Sequence, residues 1–69
     1  MEQCRALDML NDIRKNGYII SVTRTDKGYV EKYSFNGKST TSFFFNKKNI
    51  IYKIDYVGTH GSFSEKVKK

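Results

Sequence analysis

The chain of 69 residues contains no proline and no tryptophan, and only one cysteine, one histidine and one alanine. A single cysteine, Cys4, allows no intramolecular disulfide and no multi-cysteine zinc site, so neither common staple of a small fold is present. That points to a reducing, intracellular compartment, or to stabilisation by a partner or by self-association as a homodimer. The start, Met1-Glu2-Gln3-Cys4-Arg5, lacks the basic segment and apolar run of a secretory signal, and no stretch approaches about 18 consecutive apolar residues. The expectation is a soluble, cytoplasmic protein with no membrane partner.

Acids are also scarce. Seven Asp and Glu stand against thirteen Lys and Arg, for a formal net charge of +6. Such an excess favours a polyanion such as nucleic acid, or an acidic host protein, as partner. The length leaves room for one domain, 1–69, and excludes a two-domain enzyme with a cleft; a chain this short buries only about 60% of the surface its unfolded form exposes. Hydrophobic residues make up 38%, but five Phe and five Tyr carry large areas each and point to an aromatic core rather than disorder.

The first residues read as a helix over about 2–16. Ala6, Leu7, Leu10 and Ile13 follow the spacing of a buried stripe with Met9 at its margin, and Asn16-Gly17 makes a helix stop. From Tyr18 the period changes to that of β-strands, expected at 18–24, 29–35, 40–45 and 50–57. Turn residues Asp26-Lys27-Gly28, Asn36-Gly37-Lys38-Ser39 and Asn46-Lys47-Lys48-Asn49 separate them, and short connections imply an antiparallel meander. Alternation puts Tyr18, Ile20, Val22, Tyr29, Tyr33, Phe35, Phe43, Phe45, Ile50, Tyr52, Ile54 and Tyr56 on one apolar face. Ile19, Val30, Phe44 and Ile51 fall on the polar side. The predicted fold is α+β: an N-terminal helix on one face of a four-stranded antiparallel meander, followed by a basic C-terminal tail, 58–69.

In a four-stranded meander Arg14, Lys15, Lys38, Lys66, Lys68 and Lys69 gather at one end with His60, and Lys27, Lys47 and Lys48 at the other. The larger group is the predicted contact for phosphates or an acidic partner, and the smaller group a secondary basic patch. Phe44 and Ile51 are the predicted contacts should the partner be a protein.

Motifs for catalysis or cofactor binding are missing: no G-x-G-x-x-G, no phosphate-binding P-loop, no H-E-x-x-H and no paired Cys or His. No catalytic residue, metal ligand or cofactor is therefore expected. Lys27-Gly28-Tyr29 echoes the opening of an RNA-recognition motif, but Glu31 stands where that motif needs its next aromatic. His60 reads as an exposed loop residue and Cys4 as a buried helix residue.

The segment Ala6-Leu7-Asp8-Met9-Leu10-Asn11-Asp12-Ile13-Arg14-Lys15-Asn16-Gly17-Tyr18 resembles the opening of the HicA family of toxin ribonucleases. That resemblance implies an α-β-β-β-α fold like that of double-stranded-RNA-binding domains, with a Gly-Ser-His triplet early in the sheet. The corresponding hairpin, Asp26-Lys27-Gly28-Tyr29, has no histidine, and Gly58-Thr59-His60 follows the fourth strand. In size and layout the chain also resembles small phage-encoded inhibitors, anti-CRISPR proteins among them. A wealth of Lys, Asn, Ile, Tyr and Phe, all with AT-rich codons, agrees with phage or mobile-element origin. The expectation is a non-enzymatic protein binding nucleic-acid backbone through its basic cluster, with inhibition of a host factor as the alternative and a HicA-like ribonuclease as a remote one.

Overall fold

The computed structural model describes residues 1–16, 18–35 and 37–68, except the side chains of Tyr18, Ile20 and Phe35. The roles expected of Gly17, Asn36 and Lys69, and the faces expected of those three side chains, lie outside the described residues. One helix, α1 (Gln3–Asn16), precedes five strands: β1 (Tyr18–Thr25), β2 (Gly28–Phe35), β3 (Ser39–Asn46), β4 (Ile51–Gly58) and β5 (Gly61–Lys66). They form one antiparallel sheet in sequence order.

The helix forms where the apolar period is 3.6, and Ala6, Leu10 and Ile13 are its buried residues. Leu7, expected in the same stripe, is 42% exposed. Glu2 stands just before the helix and its carbonyl accepts from the Ala6 amide. At the other end the Asn16 side-chain amide reaches back one turn and donates to both the carbonyl and the carboxylate of Asp12 at 3.2 Å.

Two corrections change the picture of the sheet. The first is a fifth strand in place of most of the basic tail. Gly58 pairs with Gly61 around Thr59-His60, and 61–66 run back along β4. Phe63 stacks on Tyr56 with ring centroids 4.6 Å apart yet stays 65% exposed, while Val67 beyond the strand is buried in the core. The second is a bulge in β4. Phe44 lies opposite Lys53 but Phe45 opposite Ile51, leaving Tyr52 as the extra residue. A single inserted residue reverses the faces of everything before it. Ile51 therefore points into the core with 0% exposure, and Tyr52 packs edge-on against Phe44 on the opposite surface. A similar slip between Ile19 and Ser21 sets Ile19 opposite Tyr33, on the helix side rather than the polar side.

The core is one cluster of Ala6, Leu10, Ile13, Tyr33, Phe43, Phe45, Ile51, Ile54 and Val67, with Met1, Met9, Tyr29 and Tyr56 packed around it. The Gln3 amide clasps helix to sheet. Its Oε1 accepts from the Ile51 amide at 3.2 Å, and its Nε2 donates to the Ile51 carbonyl at 2.9 Å and the Lys68 carbonyl at 3.1 Å. Gly28, opening β2, approaches Asn46 of β3 so closely that a Cβ would sit 2.6 Å from the Asn46 carbonyl carbon, and closer still to the Phe45 oxygen. Only glycine fits there.

Ile51 offers a direct test of the bulge. Ile51→Val should lower stability by about 1 kcal/mol in urea denaturation and Ile51→Ala by about 2–5 kcal/mol, enough to unfold a domain of this size. Val57→Ala, on a half-exposed side chain, should stay within about 0.5 kcal/mol of the parent. Equal costs at Ile51 and Val57 would refute the inward orientation of Ile51.

Candidate nucleic-acid interface

The fifth strand redistributes the lysines. With β1 taken as running upward, the turns after β1 and β3 lie at the upper end, and the turns after β2 and β4 lie at the lower end. Since β5 also runs upward, Lys66 and Lys68 end up at the upper end, where the Lys68 amide donates to the Met1 carbonyl. They join Lys27, Lys47 and Lys48. Arg14, Lys15 and Lys38 remain at the lower end, so the six-residue cluster expected there is divided, and Lys69 lies outside the described residues.

Arg14 is also engaged. Its Nε donates to the Tyr33 hydroxyl at 3.1 Å and its terminal nitrogen to the Glu31 carboxylate at 2.9 Å and 3.3 Å, while the Tyr33 hydroxyl donates to Glu31 at 2.7 Å. The hydrogen bond to Tyr33, then that to Glu31, raises the Arg14 pKa above its ordinary value. Its charge is already matched within the fold.

Charge is segregated between the two surfaces of the sheet. The helix, the surface it covers and the C-terminal segment bonded to the helix start carry Arg5, Arg14, Lys15, Arg24 and Lys68 against Glu2, Asp8, Asp12, Glu31 and Glu65, five bases to five acids. The uncovered surface and the turns carry Lys27, Lys32, Lys38, Lys47, Lys48, Lys53 and Lys66 against Asp26 and Asp55. Asp55 lies directly opposite Ser64, whose hydroxyl donates to it. Lys53 and Lys66 face each other across β4 and β5, an arrangement that destabilises a sheet unless an anion or a second interaction offsets it.

Aromatic rings lie among these lysines. Phe44 and Tyr52 meet with centroids 6.1 Å apart and planes inclined at 64°. The Lys53 ammonium sits 4.2 Å from the Phe44 centroid and that of Lys27 5.7 Å from the Tyr52 centroid, both within cation–π range. Beside them an open depression of about 560 Å³ is lined by Lys27, Asn46, Lys47, Lys48, Ile50 and Tyr52. The turn beneath it is held by Asn46, whose side-chain oxygen accepts from the Lys48 and Ile50 amides, and by Asn49 with φ near 64°. A depression of about 600 Å³ at the lower end has Lys38 as its one lysine, beside His60 and the exposed Phe63. The upper site thus combines three ammonium groups with an aromatic wall.

Of the other sequence candidates, Phe44 is on the uncovered surface as expected, whereas Ile51 is core and offers no contact. His60 is exposed in the turn before β5. Cys4 is exposed, not buried as the sequence suggested. Among the described residues no three His, Cys, Asp or Glu side chains are grouped so as to hold a metal ion, and no helix is long and apolar enough to cross a membrane. Sequence reasoning missed Tyr52, Lys53, Lys32 and the partnership of Lys66 with them. The signal for Lys32 and Lys53 was their period-two position; for Tyr52 there was none, since the bulge alone puts it there. Comparison with protein-family models, curated proteins and solved structures gives no match.

Burial raises the phenol pKa of Tyr29, Tyr33 and Tyr56, with nearby Glu31 adding to the first two and Glu65 to the third. Such phenols keep their protons longer in the folded than in the unfolded chain. Their stabilisation is fully present below about pH 10, the unfolded value, and is lost as pH rises through the higher folded values. Urea midpoints should therefore be level between about pH 8 and 9.5 and fall beyond, with Tyr33→Phe reducing the fall; a flat profile to pH 11.5 would refute this. Glu31→Gln should cost about 1 kcal/mol, because it weakens hydrogen bonds in a partly exposed network.

Proposed function

We propose that the protein is a non-enzymatic nucleic-acid-binding protein that grips phosphates with the lysines of its uncovered sheet surface and upper turns. The observation that carries this reading is the segregation of charge. A helix layer with five bases against five acids backs a sheet surface where Lys32, Lys53 and Lys66 meet one acid, Asp55, and upper turns where Lys27, Lys47 and Lys48 meet Asp26. Solubility alone is served by mixed charges and does not ask for such a division. Lys53 and Lys66 at directly opposed positions add support, since one phosphate pairs with both ammonium groups once Lys53 leaves the Phe44 ring. The lower cluster loses its place in the proposal because Arg14 is paired with Glu31 and the C-terminal lysines Lys66 and Lys68 lie at the other end.

Inhibition of a host protein is the second reading. It draws on Ile19 and Val22, both more than half exposed at the β1 edge on the helix side. A phage or mobile-element source and an intracellular site of action suit either reading.

Fluorescence anisotropy with labelled DNA and RNA at rising salt is the test. Dissociation constants of about 10⁻⁴ to 10⁻⁶ M near physiological salt and a steep loss of affinity as salt rises are expected. Lys48→Ala and Lys66→Ala should each reduce the slope of log K against log salt by about 0.7–0.9, whereas Lys15→Ala and Lys38→Ala should leave it unchanged. Absence of binding at low salt would exclude the reading.

A further inference from the structure

We infer that the uncovered surface takes single-stranded rather than duplex nucleic acid, with unstacked bases lying on Phe44 and Tyr52. This rests on the nucleic-acid reading and adds to it the form of the ligand. Phe44 and Tyr52 are both partly buried, so their rings are fixed by the sheet, and each has a lysine ammonium over it, 4.2 Å from the Phe44 centroid and 5.7 Å from that of Tyr52. An ammonium on a flexible four-carbon stem is a replaceable cover. When a base stacks on the ring, the displaced Lys27 or Lys53 is left beside the phosphate that accompanies that base. One movement thus exchanges a cation–π contact for a base–aromatic stack and an ion pair.

The ring geometry selects the strand. Bases of a duplex are stacked at about 3.4 Å per step along each strand, and their faces are closed except at the ends. Two rings 6.1 Å apart and inclined at 64° cannot continue such a stack, nor can they sandwich one flat base between them. They can take two bases splayed apart, one to each ring, as aromatic platforms for single strands do. Five strands at about 4.8 Å spacing give a surface about 19 Å wide, room for a short single-stranded segment. Charge complementarity commits the surface to this occupant: Lys32 and Lys66 flank the rings, and Asp55 is already held by Ser64.

The test compares three ten-residue probes of similar charge per strand: oligodeoxythymidylate, an abasic deoxyribose phosphate chain and a duplex. The parent should bind oligodeoxythymidylate at least about tenfold more tightly than either of the others. Phe44→Leu and Tyr52→Leu, checked for folding by circular dichroism, should weaken that binding about five- to hundredfold, with the slope against salt and the affinity for the abasic chain retained. Tyr52→Trp gives an independent readout, because the chain has no other tryptophan: its emission should be quenched by oligodeoxythymidylate and unaffected by the abasic chain. Equal, salt-sensitive binding of all three probes, unaltered by the Leu variants, would overturn the stacking inference while leaving the phosphate reading intact. No binding of any probe at low salt would remove both.

Discussion

One extra residue in β4 governs both sides of this sheet. Without the bulge at Tyr52, regular alternation through Tyr52, Ile54 and Tyr56 would send Tyr52 under the helix and Ile51 out to solvent. With it, Ile51 closes the core over Phe45, and Tyr52 joins Phe44 on the opposite surface. The Gln3 amide holds this arrangement by reading both backbone groups of Ile51, as a neighbouring strand would. Core, helix docking and the aromatic pair are therefore consequences of the same irregularity.

A single helix also sets where charge can go. α1 is the one helix among the described residues, and it leaves side chains at both sheet edges open: Ile19 and Val22 on β1 and Phe63 on β5 are more than half exposed. Under the helix the sheet needs apolar and paired groups, and Arg14 enters there only with Glu31 and Tyr33 around it. The opposite surface has no such cover, so its lysines remain hydrated while their stems and ammonium groups shield the two rings. The net charge of +6, diffuse in the sequence, is directional in the fold.

The helix, the first four strands and the three turns between them were legible because each carries a strong local signal: the 3.6-residue period of Ala6, Leu10 and Ile13, the aromatic and β-branched runs, and Gly28 where β3 leaves no space for a side chain. The fifth strand was not legible. Its inward positions, Phe63 and Glu65, include an acid, its outward ones are Ser62, Ser64 and Lys66, and it is defined chiefly by backbone pairing to β4. The bulge was hidden by the apolar period-two run of Ile50, Tyr52, Ile54 and Tyr56, which looks regular whether or not an extra residue is inserted. The candidate site inherited both errors. Whether the C-terminal lysines lie at one end or the other depends only on the parity of the strand count, so one missed strand moved Lys66 and Lys68 across the molecule.

The two kinds of basic residue divide along the same line as the charge. Arg5, Arg14 and Arg24 all belong to the helix or the surface beneath it, and the uncovered surface and its turns carry lysine alone. A guanidinium presents a rigid planar fork that fixes a partner's geometry, which is the part Arg14 plays against Glu31 and Tyr33. An ammonium is a mobile point charge with no preferred plane. Fixed forks suit internal architecture and base-edge readout; mobile point charges suit a flexible chain of phosphates whose positions vary from one ligand to the next. Under the proposed function this surface would therefore discriminate among nucleic acids by whether a base face is free to stack, with little dependence on which base it is.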